Sequence, residues 1–126
     1  MIYFVQHTSP PASGTSGSAS TTDYTKAVFG RIHKIVISYS ANAPASTRVV
    51  ITDKSDPAAE SIADITGNTL VALYPRRAMT TNAGSNITYN GTYFVPTEYP
   101  VCDALAISIT NTDPGVTVTV TAYIRS

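Results

Sequence analysis

The chain has 126 residues, eight basic and eight acidic, and only 13% of it is charged, where soluble proteins average about 25%. That length fits one domain with a core of its own, needing neither disulfides nor metal to support it. Basic residues are scattered, Arg76 and Arg77 apart, so nucleic acid finds no electrostatic footprint, and zero net charge protects the chain weakly against association.

The lone Cys102 excludes an internal disulfide and is read as a buried, inert thiol; no His or Cys cluster has metal-ligand spacing. MIYFVQH lacks the basic start and long apolar run of a signal peptide, and no stretch approaches 18 apolar residues. A cytoplasmic, membrane-free setting is expected. Asn86-Ile-Thr and Asn90-Gly-Thr match the glycosylation sequon, here as chance matches in a Thr-rich chain.

In chain order, IYFVQ (2–6) is a short apolar strand, and Thr8 to Asp23 is almost wholly Ser, Thr, Pro, Gly and Ala. With little to bury, residues 1–24 are expected to form an extended arm before a β-sandwich domain at 25–126. RIHKIVISYS (31–40) places Ile35, Ile37 and Tyr39 on one face, and TRVVIT (47–52) follows. Residues 58–66 admit a short helix or an irregular strand, with Asp56 before Pro57 as a cap. NTLVALYP (68–75) is a strand stopped by Pro75. Asn90-Gly91 is the preferred pair for a two-residue hairpin, which would set Tyr89 against Thr92, Thr88 against Tyr93 and a buried Ile87 against Phe94. DALAISIT (103–110) points Leu105, Ile107 and Ile109 one way, and NTDPG turns into VTVTVTAYIR (116–125), where Val116, Val118, Val120, Ala122 and Ile124 form a dry face. These last two strands are expected to make a second hairpin. Alternation of this kind belongs to antiparallel sheets. The fold class expected is all-β, an antiparallel two-sheet sandwich of jelly-roll type with seven or eight strands.

Catalytic sets are missing. His7 and His33 are the only candidate bases, one beside the arm and one within a strand, and neither suggests a triad. Asp53, Asp56, Glu60, Asp64, Glu98 and Asp103 sit mostly beside turn residues, where carboxylates cap or make Asx turns, and DKSDPAAESIAD lacks a calcium-loop rhythm. No enzyme activity, cofactor or metal is expected. Eight tyrosines and no tryptophan carry more information. Tyr89, Tyr93 and Tyr99 lie near Tyr74-Pro75-Arg76-Arg77, a composition that suits a sandwich edge, a protein interface or a sugar platform. The interface candidates are Ile2, Tyr3, Phe4, Val5, Tyr74, Arg76, Arg77, Tyr93, Tyr99 and Tyr123.

The order GRIHKIVISYS, TRVVITD, TLVALYPRR, the Tyr-rich hairpin, YPVCDALAISIT and GVTVTVTAYI resembles small β-sandwich head decoration (cement) proteins of tailed bacteriophages, over about residues 30–126. The resemblance implies a structural virion protein on the capsid surface, a homo-trimer bound to the major capsid protein without nucleic acid contact, assembled in the host cytoplasm. IYFVQ would then be a tethered clamp on a neighbour. Neck, tail or fibre placement is the nearest alternative, and a carbohydrate-binding module using Tyr74, Tyr89, Tyr93 and Tyr99 is the other.

Overall fold

A computed structural model describes residues 1–89, 91 and 93–126 as two antiparallel sheets packed against each other, with no helix among the described residues. The strands are β1 (Ile2–Thr8), β2 (Ala19–Ala27), β3 (Gly30–Tyr39), β4 (Arg48–Asp53), β5 (Ser61–Thr66), β6 (Val71–Leu73), β7 (Arg76–Ala78), β8 (Thr88–Tyr89), β9 (Tyr93–Phe94), β10 (Pro96–Val101), β11 (Ala104–Thr112) and β12 (Val118–Arg125). The larger sheet runs β1-β12-β3-β10-β7, with β6 also paired to β3; the smaller runs β2-β11-β4-β5, and β8 with β9 is a separate ribbon. Ten strands thus build the sandwich, more than the seven or eight expected.

Period-two alternation explains the core. Ile35 and Ile37 of β3 and Val118, Val120, Ala122 and Ile124 of β12 face Val49 and Ile51 of β4 and Leu105, Ile107 and Ile109 of β11, all essentially without solvent exposure. Each fully buried Ile or Leu contributes roughly 1.5–3 kcal/mol of transfer free energy. Residues 58–66 resolve as strand: β5 pairs with β4, and a register shift opposite Ile51 and Thr52 turns both Ile62 and Ala63 inward. That bulge is why Ile62 and Ile65 have helical spacing.

Four expectations are corrected. First, residues 1–24 are no free arm: β1 pairs with β12 from Ile2↔Arg125 to Thr8↔Thr119, and β2 pairs with β11. Between them Ser9 and Ala12 are buried, with main-chain bonds to Val118 and Val116. Small side chains suit the sandwich edge, where little volume separates the sheets. Thr25 is buried there, and its hydroxyl accepts the Leu105 N–H at 3.0 Å where the ladder slips register.

Second, β11 and β12 do not form a hairpin. Each already has two neighbours, β2 and β4 for one, β1 and β3 for the other, so residues 113–117 carry the chain from sheet to sheet. Thr117 is tied to Ser40 at the end of β3 by both its carbonyl and its N–H. Third, the ribbon pairs Thr88↔Phe94 and Tyr89↔Tyr93, one register step from the expected pairing. Ile87 is 37% exposed, and its carbonyl accepts the Val95 N–H. Asn90 and Thr92 lie outside the described residues. Fourth, Cys102 is exposed, because Val101 takes the inward position at the end of β10.

Candidate functional site

The outer face of the larger sheet collects what the core leaves over. Side chains opposite in register on β1, β12 and β3 line up in rows across the strands. Phe4, Tyr123 and Lys34 form one row, which Tyr74, following β6, extends. The Phe4 and Tyr123 rings lie 6.1 Å apart, and the Lys34 ammonium stands 5.6 Å from the Tyr123 ring and 5.7 Å from that of Tyr74. One cation thus bridges two aromatic faces. The face keeps large apolar side chains in water: Phe4 is 64% exposed, Tyr74 56% and Leu70 67%.

The adjacent row is ionic and centres on Glu98 of β10. Alternation from Ile35 and Ile37 would put His33 inside, but the β3–β12 ladder shifts register between Tyr123 and Ile124. Ile32 therefore stays buried, and His33 joins Lys34 on the outer face. There His33 Nδ1 lies 2.9 Å from Glu98 Oε2, Arg125 Nε donates to Glu98 Oε1 at 3.1 Å, and Arg76 Nη2 stands 3.6 Å from Glu98 Oε2. Arg76 also donates to the His33 and Pro75 carbonyls. Arg125 Nη2 is 2.9 Å from the same His33 Nδ1. One ring nitrogen carries at most one proton, so it either donates to Glu98 or accepts from Arg125. Burial alone would raise the Glu98 carboxyl. Hydrogen bonds from His33 and Arg125, with the Arg125 and Arg76 charges, outweigh it and hold the group below the usual carboxylate range. Lys34, Arg76 and Arg125 against one carboxylate leave the face cationic.

The opposite sheet presents a different exterior. Thr22, Ser108, Val50 and Thr52 dominate, with an Arg48–Asp64 ion pair at 2.7 Å and Lys54 over Tyr24. The carboxylates of the β4–β5 loop line a cleft of about 390 Å³ with Arg77 and Tyr99, yet they hold turns. Asp53 accepts from the Ser55 main chain and hydroxyl and from the Cys102 N–H, and Asp56 accepts from the Ala58 and Glu60 N–H groups.

Of the sequence-derived interface residues, the structure brings Ile2, Phe4, Tyr74, Arg76 and Tyr123 together on this outer face. It separates the others. Tyr3, Val5 and Tyr99 turn inward against the core, Arg77 reaches Glu60 at 3.5 Å, and Tyr93 is exposed on the β8–β9 ribbon. Of the carbohydrate-platform candidates, Tyr74 therefore lies on the outer face, Tyr93 on the ribbon and Tyr99 against the core, while the side chain of Tyr89 lies outside the described residues. Lys34, His33, Glu98 and Arg125 complete the face and were absent from the candidates. Arg125 was legible as the charged end of the Thr face of β12, whereas His33 and Glu98 depend on a bulge and on non-local pairing.

No protein-family model matches the chain, and no curated protein matches it in sequence. Among solved structures it is similar to FlhE, with a TM-score of 0.51 and 15% identity, over 100% of this chain and 97% of that one. At that identity the likeness is one of fold. This likeness corrects the capsid decoration reading, because the fold is shared with FlhE and so points away from a phage head role. The motif order that carried the phage resemblance is the strand order of a sandwich, which unrelated functions share.

Proposed function

We propose that this chain is a non-catalytic protein-recognition domain, and that the outer face of the larger sheet is its binding surface. The observation that carries the reading is the row Phe4, Tyr123, Lys34 and Tyr74, with exposed aromatic rings and a fixed cation between two of them. Tyr and Arg anchors of this kind dominate the energetics of protein interfaces, because each buries a large area and ends in a polar group. Their ordering is settled in advance by the sheet and by the Glu98 cluster, so little side-chain freedom remains to be lost on binding. The cationic balance selects a partner surface that is apolar at its centre and acidic at one side. Both histidines serve structure: His7 ties Asp23 across the sandwich edge at 2.8 Å, and His33 ties Glu98.

Affinity capture from lysate of the source organism, using wild type beside Tyr74→Ser and Lys34→Glu, tests the reading. The expected result is a partner retained by wild type and by Ser108→Ala, and lost with both outer-face variants. Equal retention by all four proteins contradicts it.

A further inference from the structure

The edge strand β1 is built unlike the other edges. In an antiparallel ladder alternate residues turn both main-chain groups toward the neighbour. Ser126 donates to the Met1 carbonyl and Ser9 to that of Val118, which fixes the phase: odd residues bond β12. The N–H and C=O groups of Ile2, Phe4, Gln6 and Thr8 therefore point away, in the plane of the sheet, toward solvent.

Sheet edges usually carry charge, proline or bulges that discourage pairing. Among the described residues, β2 carries Asp23 and Lys26 and slips register twice, β5 carries Asp64 and a bulge, β6 is only three residues long, and β7 is three residues long with two arginines. β1 has none of these. Its ladder with β12 is regular over seven pairs, it contains no proline, and His7, its one basic side chain, turns to Asp23.

We propose that the chain forms a two-fold dimer by antiparallel pairing of β1 with β1 of a second copy. The strand is self-complementary in one register. Centring the axis on Val5 sets Ile2 against the partner's Thr8 and Phe4 against the partner's Gln6, so all four donors and four acceptors of each copy are used. Shifting by two residues strands some of them. No like charges meet, since Ile2, Phe4, Gln6 and Thr8 are uncharged and the chain carries no net charge. An isologous contact of this type closes on itself, so it yields dimers rather than fibres. Twelve strands would then form one continuous sheet, with the two Phe4 rings flanking the axis on its outer face. This inference stands on the edge geometry alone and does not rest on the binding face.

Sedimentation velocity on the full chain from about 1 to 100 µM reads the outcome. The dimer predicts twice 13.3 kDa at the upper concentrations. Gln6→Pro removes an outward N–H without breaking a main-chain bond to β12, losing besides it only the exposed side-chain bond from Gln6 to Thr121, and it raises the dimer dissociation constant at least tenfold. Independently, Val5→Cys in a Cys102→Ser background oxidises to a covalent dimer, because a non-hydrogen-bonded antiparallel pair brings Cα atoms to about 4.5 Å. Gln6→Cys in that background cross-links poorly. A wild-type monomer at 100 µM, a dimer indifferent to Gln6→Pro, or a Val5→Cys protein that resists cross-linking overturns the proposal.

Discussion

Gly30 opens β3 where that strand passes under the end of β12, and Gly30→Ala is the sharpest probe of how closely the sheet is drawn together. Its φ of +138° lies in a region that side chains rarely adopt, and a Cβ there would stand 2.5 Å from the Arg125 carbonyl oxygen and 3.1 Å from Ile124 Cγ2. Backbone strain of this kind costs about 1–3 kcal/mol. Overpacking against main chain, which cannot rotate away, adds about 1–3 kcal/mol. The expected loss is roughly 2–6 kcal/mol, or a fall in Tm of about 8–24 °C at roughly 4 °C per kcal/mol for a domain of this size. Gly17→Ala is the control: its φ is +83°, and nothing lies within 4 Å of the added methyl. Strain alone then costs about 1–2 kcal/mol. Circular dichroism during urea unfolding measures both. The chain has no tryptophan, so tyrosine emission serves as the second probe. A Gly30→Ala protein no less stable than Gly17→Ala would refute the close approach of β3 and β12.

Three further outcomes follow from the core and the face. Ile107→Ala should cost about 2–5 kcal/mol by opening a cavity between the sheets, while its neighbour Ser108→Ala stays within about 0.5 kcal/mol in the same urea titration. Because the Glu98 carboxyl is held low in the folded state, its contribution is complete above the unfolded value of about 4.3 and is lost as pH falls through the depressed one. Glu98→Gln should therefore lower stability at pH 7 by about 1–2 kcal/mol and flatten the fall below pH 4; an unchanged acid limb counts against the cluster. Cys102 should react with Ellman's reagent in the native protein within minutes, and reaction only after denaturation would contradict its exposure.

Much of the fold was legible in the residues, and what escaped has identifiable causes. The dry faces of 35–37, 105–109 and 116–124 follow from strict alternation, and each is buried as the period requires. Composition misled at 8–24, where Ser and Thr signalled a linker but backbone ladders and a buried Thr25 hold a strand. Adjacency misled at the C-terminus, since nothing local distinguishes a hairpin from a crossing between sheets. In the binding face, Phe4, Tyr74 and Tyr123 were visible by type. Glu98 and His33 were not, because one bulge in β3 decides which way His33 points, and only the β10–β3 pairing brings Glu98 beside it.

The recognition surface itself is tested most directly by site-specific photo-cross-linking in cells, with a benzophenone amino acid placed at Leu70 or Tyr74 on one sheet and at Thr52 or Ser108 on the other. A partner polypeptide captured from the first pair and not from the second is the expected result. Adducts confined to Thr52 and Ser108 would place the working surface on the opposite sheet and contradict the account.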